Sequence, residues 1–318
     1  MSGDIEGGAP RAPGTAVRVL TPPAGVPGAL GERGSLQAGE RVLLLDAKQR
    51  RYLIALGQGT SFHTHAGIVA HDDIIGRDEG ATVTGTTGRR FLVVRPTLAD
   101  VVLKMPRGAQ VIYPKDLGAI LVAADIGPGA RVLEAGVGSG ALSMAMLRAG
   151  ADVLGYEIRA DFAERAVANV TTWLGTSRYR VELRDVYEGI DASGLDRIVL
   201  DLPEPWRVIP HALGALRPGG VFAAYLPTIN QTATLRNALA RAPFALAETA
   251  EVLRRTWHIE TRSVRPDHRM VAHTGFVTTA RLVERADDQV PAPTSSTGEE
   301  LQAWSPIEDE PEPVEDPT

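Results

Sequence analysis

Cysteine is absent from the chain of 318 residues. Its absence excludes disulfide bonds, cysteine-ligated zinc sites and a thiol nucleophile. Aromatic side chains are scarce, at 5% of the residues, whereas Ala, Gly and Val are plentiful. This bias in composition carries no information about function, so the chemistry has to be read from motifs.

Long apolar runs are also missing. The longest, such as residues 119–124, are far too short to span a lipid bilayer. The amino terminus lacks the basic stretch followed by an apolar stretch that marks a secretory signal peptide. We therefore expect a soluble, cytoplasmic protein that has no membrane partner.

The net charge of −6 is unevenly distributed along the chain. Residues 286–318 contain ten acids and no Lys or Arg, so the remainder carries a net charge of +4. A mildly basic body suits an enzyme that acts on nucleic acid, although many neutral enzymes have the same balance. The acidic tail 286–318 and the Gly-, Pro- and Ala-rich segment 1–34 have compositions that predict disorder.

Short β-like runs separated by turn residues predict a small all-β domain at about 35–95. Three histidines lie in it, His63, His65 and His71. No carboxylate or further histidine sits at a spacing that would complete a metal site. We interpret them as hydrogen-bonded loop histidines and predict no metal.

The central motif of the chain is the stretch 131–140, a short apolar run followed by glycines at positions 136, 138 and 140. A helix-like run, 141–147, comes next. Glycines let the backbone turn sharply and approach a ligand closely. The G-x-G-x-G spacing, with Glu134 two positions before the first glycine, is more typical of S-adenosylmethionine (SAM) enzymes than of nicotinamide dehydrogenases, which use G-x-G-x-x-G. The stretch predicts the first strand, loop and helix of a nucleotide-binding α/β domain.

Acidic residues end the three strands predicted next. Glu157 lies 17 residues past Gly140, where a doubly wound sheet carries the carboxylate that binds ribose hydroxyls. The alternative for Glu157 is a solvated strand end. Asp185 ends the third strand and is a candidate for hydrogen bonding to an adenine amino group.

Asp201 ends the fourth strand and precedes a loop stiffened by Pro203 and Pro205. A stiff loop at the carboxyl edge of a sheet holds a catalytic group in place, and Trp206 offers a face for a flipped-out base. The alternative is a proline-rich turn in which Asp201 caps the next helix.

Two of the remaining stretches leave two interpretations each. Residues 107–116 either cover the ligand pocket or form an interdomain turn. The segment 254–269, with five arginines and Trp257, either holds phosphates and a base or is a solvated loop. Residues 221–227, with Tyr225, form the fifth strand, and 274–282 is its antiparallel partner.

Six stretches, in this order, resemble the tRNA (adenine-58-N1)-methyltransferase family in its bacterial (actinobacterial) homotetrameric branch. The resemblance covers about 35–283, and the order of the motifs makes it specific, whereas the glycine loop alone would not. The stretches are 113–116, 134–140, 156–157, 201–206, 224–227 and 273–276.

This resemblance implies an α/β fold, a class I SAM-dependent methyltransferase with a Rossmann-like, seven-stranded and mostly parallel sheet at 96–285, preceded by the small all-β domain. It also implies a homotetramer, tRNA as substrate, SAM as cofactor, and methylation of N1 of adenosine 58 in the T-loop. The long segment 1–34 and the tail 286–318 depart from compact relatives, which leaves regulation open.

Site residues carry over by matching position. Asp201 is implied to be the catalytic acceptor, Glu157 to bind the ribose and Asp185 the adenine of SAM, and His273 matches without a role that we can derive. Gln110, Tyr113 and Tyr225 are implied to line the methyl-transfer pocket, and Asp201, Tyr225 and Tyr113 are the predicted catalytic set. The predicted cofactor set is Gln110, Glu134, Gly136, Gly138, Ser139, Gly140, Ala141, Glu157, Arg184, Asp185 and Asp201.

Other functions are compatible with parts of the sequence. A SAM-dependent methyltransferase could act on a protein or a small molecule, but the loop 201–206 is not expected there. A non-catalytic tRNA-binding subunit would be expected to have lost the glycine loop and the acid, and both are intact. The sequence leaves open the full set of tRNA targets, including a second methylated position beside the first.

Overall fold

A large twisted sheet with helices on both faces occupies most of the protein. The computed structural model describes residues 17–22, 33–65, 67–105, 108 and 110–284, which belong to one compact unit ending at Glu284. The tail 286–318 and most of segment 1–34 lie outside the described residues, so the predictions made for them stay predictions.

The strands are β1 Val19–Leu20, β2 Arg41–Asp46, β3 Arg51–Ala55, β4 Ser61–Thr64, β5 Gly67–Ala70, β6 Thr82–Thr84, β7 Arg90–Val94, β8 Arg131–Ala135, β9 Asp152–Glu157, β10 Tyr179–Leu183, β11 Leu195–Leu200, β12 Leu216–Leu226, β13 Phe244–Glu251, β14 Trp257–Glu260, β15 Ser263–Pro266 and β16 Phe276–Leu282. The α-helices are α1 Leu98–Lys104, α2 Pro114–Ala123, α3 Ala141–Arg148, α4 Ala160–Trp173, α5 Ile209–Ala215 and α6 Ile229–Leu239.

The large sheet has the strand order β1-β10-β9-β8-β11-β12-β16-β13. The five strands from β10 to β12 run parallel, whereas β16 is antiparallel to both of its neighbours, β12 and β13. The carboxyl ends of β8, β9, β10, β11 and β12 therefore meet at one edge. This architecture confirms the predicted class I methyltransferase fold and the antiparallel closing strand.

Strand β1 is the eighth strand of this sheet and was not predicted. Val19 and Leu20 pair with the free edge of β10, and Arg18 forms an ion pair of 2.9 Å with Glu164. These residues lie within the segment that was expected to be disordered. An exposed edge offers unpaired backbone groups that even two residues can satisfy, and so short a strand leaves no periodic signal in a sequence.

The central strands are buried on both faces because helices cover each side. In β8, residues Val132, Leu133 and Ala135 are all buried, and so is Glu134. Helices α2, α3 and α4 contribute to the apolar core on one face, and α5 and α6 to that on the other. Because the strand interiors are buried in these two cores, we expect the polar side chains of a functional site at or near the ends of the strands.

The small β region predicted at about 35–95 contains β2 to β7. Four of these strands form an antiparallel sheet in the order β3-β2-β7-β6, and β4 pairs with β5. Phe91, Leu44 and Ile74 are fully buried in a core of its own. Strand β4 was missed because its residues, which include His63, do not alternate clearly between apolar and polar.

Helices α1 and α2 lead from the small sheet to the site. Thr97 and Asp100 form the predicted cap of α1: Thr97 Oγ1 accepts from the Asp100 N–H at 3.3 Å, and Asp100 Oδ2 accepts from the Thr97 N–H at 3.1 Å. Helix α2 starts at Pro114, whose fixed φ suits the first helical position, so Tyr113 stands just before the helix.

Two further findings concern the arginine-rich segment and the lengths of the helices. The basic segment 254–269, for which two interpretations were left open, contains a hairpin, β14 and β15, in which Trp257 pairs with Pro266 and Ile259 with Val264. In the part of the chain that the structure describes, no helix is long and apolar enough to cross a membrane.

Candidate active site

The glycine loop follows β8, and all three glycines have positive φ angles: 82° at Gly136, 56° at Gly138 and 81° at Gly140. A Cβ at residue 136 would lie 2.2 Å from the carbonyl oxygen of Asp201. Only glycine can therefore occupy that position without moving the end of β11. Gly140 is the cap residue at the start of α3.

Glu157, at the end of β9, is buried beside this loop. Its Oε2 accepts from the Gly138 N–H at 3.2 Å, and its Oε1 accepts from the Arg159 N–H at 3.0 Å. Two backbone donors hold the carboxylate in one orientation. The structure thus places Glu157 next to the loop as expected, while its contact with a ribose stays a prediction.

Glu134 lies in β8 with 1% of its surface exposed. Ser143 Oγ donates to Glu134 Oε2 over 2.5 Å and lies 3.0 Å from the Tyr179 hydroxyl. Burial raises the pKa of Glu134 to about 8, the Asp201 and Glu157 carboxylates add to the rise, and the hydrogen bond from Ser143 opposes it. Glu134 therefore holds its proton at neutral pH for the most part.

A narrow cavity of about 20 Å³ lies against the glycine loop. It brings together seven of the predicted cofactor residues, which are Gln110, Glu134, Gly136, Gly138, Ser139, Ala141 and Asp201. The predicted members come from three separate parts of the chain, so the fold assembles them as the motif order suggested.

A second cavity, of about 400 Å³, adjoins the first and shares Gln110, Val111, Ile112 and Asp201 with it. Tyr113 and Tyr225 also line it, which places the predicted catalytic set around one space. The remaining lining residues of this cavity are Pro227, Val271, His273 and Thr274. The two cavities thus meet at residues 110–112 and at Asp201, which line both of them.

Asp201 follows the last residue of β11, and its N–H donates to the Ala135 carbonyl at 3.0 Å. Burial alone raises the pKa of its carboxyl to about 7, and no described residue donates a hydrogen bond to that side chain. The helical turn at Pro205–Val208 is preceded by Glu204 as its cap residue, without a side-chain cap. The alternative interpretation, in which Asp201 caps the next helix, is therefore not supported.

Tyr225, near the end of β12, is 8% exposed, and its hydroxyl donates to Asp116 Oδ2 over 3.2 Å. Burial holds the pKa of Tyr225 well above its usual range, so the phenol keeps its proton. A Cβ at Gly275 would lie 2.4 Å from the Tyr225 ring. The ring is consequently fixed both at its hydroxyl and along its face.

Asp116 is fully buried and accepts three hydrogen bonds. Besides Tyr225, its donors are Lys115 Nζ at 2.8 Å and Thr274 Oγ1 at 2.7 Å, and Lys115 Nζ also donates to the Val252 carbonyl at 2.6 Å. Sequence reasoning gave these residues no role. The available signal was that Lys115, Asp116 and Thr274 fall inside two of the six matching stretches.

Arg184 and Asp185 lie at the same sheet edge but do not line either cavity. The Arg184 N–H donates to the Glu157 carbonyl at 3.0 Å, while its guanidinium pairs with Asp191 and lies over the Tyr156 ring. Asp185 Oδ1 accepts from the Tyr187 N–H at 2.8 Å. Their roles with a cofactor stay predictions, and Trp206 also lies outside the lining of both cavities.

Of the histidines in the small β region, His71 is buried, and its Nε2 has no hydrogen-bond partner among the described residues. His71 Nδ1 lies 3.0 Å from the Gly57 nitrogen, which donates to it, and 2.7 Å from Thr60 Oγ1. Within the described ranges, no group of three or more His, Asp or Glu residues could hold a metal ion.

A parallel sheet with an antiparallel closing strand, a glycine loop after β8 and carboxylates at successive strand ends define a class I SAM-dependent methyltransferase. The model of the family described as the tRNA methyltransferase complex GCD14 subunit matches residues 91–275, and that of the TrmI-like N-terminal region matches residues 34–83.

Individual relatives agree with this class. The chain is 36% identical over 244 residues to the tRNA (adenine(58)-N(1))-methyltransferase TrmI of Thermus thermophilus, covering 76% of this chain and 96% of the relative. A SAM-dependent O-methyltransferase structure from Thermotoga maritima has a TM-score of 0.77 and 34% identity, covering 80% of this chain and 97% of that one. A TrmI tRNA methyltransferase structure from Aquifex aeolicus has a TM-score of 0.72 and 28% identity, covering 79% and 100%. The chain belongs to the tRNA (adenine-58-N1)-methyltransferase family.

Proposed function

We propose that this protein transfers a methyl group from SAM to N1 of adenosine 58 in the T-loop of tRNA. The observation that carries the proposal is the Asp201 carboxyl, which stands between the glycine-loop cavity and the 400 Å³ cavity with a pKa raised to about 7. The activity of the Thermus thermophilus relative, a tRNA (adenine(58)-N(1))-methyltransferase, supports the choice of base and position.

The residues around the loop fit SAM, which supplies an electrophilic methyl group. The loop of left-handed glycines lets a ligand approach the backbone closely, and the buried Glu157 carboxylate beside it offers acceptors for hydroxyl groups. We assign the ribose hydroxyls to Glu157, the adenine amino group to Asp185, and the remaining contacts to the predicted cofactor set.

The role that we assign to Asp201 is to offset the positive charge that develops on the target adenine. N1 of adenine is a modest nucleophile, and methylation there leaves a positive charge on the ring. A carboxylate that accepts a hydrogen bond from N6 stabilises this charge, or takes the N6 proton and raises the electron density at N1. A pKa near 7 lets the carboxyl do either near neutral pH.

Tyr113, Tyr225 and Gln110 supply the walls that position the base. Transfer of a methyl group needs little covalent help from the protein, so alignment accounts for much of the rate. Tyr225 is suited to this role because Asp116 and Gly275 fix its ring. The target adenosine is stacked within folded tRNA and has to be turned out to reach the cavity.

The test is to incubate the protein with methyl-labelled SAM and an unmodified tRNA transcript, and to map the modified base. A transcript with uridine at position 58 is the control. Label at N1 of adenosine 58, lost in the control, supports the proposal. Tight tRNA binding without incorporation would indicate a non-catalytic subunit, and label in the control would reveal a second methylated position or another target.

We also propose that the chain divides into a β domain, 35–95, and a methyltransferase domain, 96–285.

The assembly that we propose is a homotetramer. Trp257, Ile259 and Val264 are 55%, 73% and 68% exposed, and their pairing puts them on one face of the hairpin. An apolar face of that kind supports self-association. Light scattering at several protein concentrations measures the assembly state. Localisation in the cytoplasm stays a prediction.

A further inference from the structure

His273 lies at the rim of the 400 Å³ cavity with both ring nitrogens against oxygen acceptors. Nε2 is 2.7 Å from the Pro227 carbonyl oxygen, and Nδ1 is 2.7 Å from Glu251 Oε1. The ring centroid lies 5.0 Å from that of Phe276, and 48% of the side chain is exposed. The imidazole thus bridges two parts of the chain that are 24 residues apart in sequence.

The bridge spans the ends of three neighbouring strands. Strand β16 lies between β12 and β13, and its first residue, Phe276, is paired with Leu226 on one side and Glu251 on the other. Pro227, the residue after Leu226, has no N–H with which to continue the ladder. The His273 side chain continues the connection past the point where the backbone pairing ends.

The two contacts define the charge of the ring. A neutral imidazole has one N–H donor and one lone-pair acceptor, so one of its nitrogens would face an oxygen without a proton between them. Both contacts are satisfied only when both nitrogens carry protons. In agreement, the Pro227 carbonyl and then Glu251 raise the pKa of His273, against the opposing effects of burial and of Lys115.

Charged and titratable groups face His273 from each element around it. Glu251 ends β13, Lys115 belongs to α2, and Tyr225 and Asp201 line the same cavity from β12 and the end of β11. Of these, the Glu251 carboxylate is in direct contact with the ring.

We propose that His273 is a positioning residue for methyl transfer, whose imidazolium braces the ends of β12 and β13 and so holds the wall of the cavity that receives the target adenosine. The inference rests on the proposed function and deepens it. Pro227 lines this cavity and lies two residues after Tyr225, so a loosened strand end changes the shape presented to the base. The SAM-side cavity lacks His273 and Pro227 among its lining residues, so SAM binding is independent of the brace.

The first test needs no substrate. Long-range nitrogen–proton NMR spectra of the free protein, assigned with His273→Gln, report the protonation of both ring nitrogens as pH is varied. We expect doubly protonated His273 to persist above the ordinary value of 6.5, and Glu251→Gln to lower its midpoint. A midpoint at or below 6.5, or one unchanged by Glu251→Gln, would overturn the proposal.

The second test separates positioning from folding. In His273→Gln we expect KM for tRNA to rise about tenfold with SAM affinity unchanged, since one charge-assisted contact cannot be replaced by an amide. Wild-type KM should rise as pH passes the His273 midpoint, and the KM of the variant should be high and independent of pH. His65→Gln, the same change at an exposed histidine of the small β region, is the matched control.

The contrary results are equally distinct. A His273→Gln enzyme with the KM and pH profile of the wild type would refute the role, and so would a parallel loss of SAM affinity, which would mean general damage to the fold. A wild-type protein that does not methylate tRNA would refute the proposed function instead, and the NMR titration would still decide whether the imidazolium brace exists.

Discussion

Gly136 and Asp201 are in such close contact that a Cβ on residue 136 would lie 2.2 Å from the Asp201 carbonyl oxygen. The backbone of the glycine loop and the backbone of the candidate catalytic residue therefore pack directly on each other. The proposed cofactor site and the proposed acceptor form one rigid junction between β8 and β11.

Gly136→Ala should damage both sides of this junction. The new Cβ meets backbone, and the φ of 82° disfavours any side chain, so we expect a loss of about 1–3 kcal/mol in stability and at least a tenfold loss of SAM affinity. Thermal melting and calorimetric titration measure the two effects. Gly214→Ala in α5, where nothing lies within 4 Å of the new atom, is the control and should leave SAM affinity unchanged without lowering the melting temperature. Normal SAM binding in Gly136→Ala would show that the loop does not need this close approach.

Glu157→Ala should weaken SAM binding while the fold persists. A carboxylate that binds two hydroxyls makes charge-assisted hydrogen bonds worth roughly 1.5–3 kcal/mol each, so the dissociation constant should rise at least tenfold. Calorimetric titration gives the constant, with Glu248→Ala, an exposed acid of β13, as the matched variant. An unaltered constant would remove Glu157 from the cofactor site.

Glu134→Gln should change how stability depends on pH. The folded-state pKa of Glu134 is raised from 4.5 to about 8, so the folded protein holds a proton that the unfolded chain has lost. Stability due to this group therefore falls as pH rises from 4.5 to about 8, on the order of 1 kcal/mol for each pH unit. The variant lacks this slope and should gain on the wild type across that window in urea unfolding. A constant difference between the two proteins would place Glu134 in a more polar surrounding.

Deletion of residues 286–318 should leave the melting temperature and the methylation rate unchanged, because their composition cannot bury a core. The ten acids in this tail should repel RNA, so the shortened protein should bind unrelated RNA more tightly at low salt. Filter binding over a salt series measures the effect. Equal binding at low salt would exclude the electrostatic role, and a large fall in melting temperature would exclude the predicted disorder.

Most of the site could be predicted because it follows from one rule of sheet geometry. Carboxyl ends of parallel strands meet at one edge, so Glu157 and Asp201, each at or just after a predicted strand end, had to approach the glycine loop. The cap at Thr97 was likewise local in sequence and was confirmed. Such features are visible because spacing and residue type alone determine them.

What the sequence did not reveal depends on contacts between distant residues. Lys115 reaches the carbonyl of Val252, and His273 joins Pro227 to Glu251, pairings that no periodicity records. Strand β1 is too short to leave a pattern, since its two residues are ordered by the free edge of β10. All of these contacts join residues that are distant in sequence. The motifs therefore indicated where the site lies but not the contacts around it.

The most direct test of the account is the single-turnover methylation rate of unmodified tRNA by Asp201→Asn, measured against pH beside the wild type. Asn keeps the size and polarity of Asp201 but cannot carry the negative charge that offsets the developing cation. We predict a rate lower by about 10²–10⁴ with SAM affinity retained, and a wild-type rate that rises as pH passes about 7, where the carboxyl ionises, while the rate of the variant stays flat. A rate near that of the wild type, with the same pH profile, would contradict the assignment of Asp201 as the acceptor.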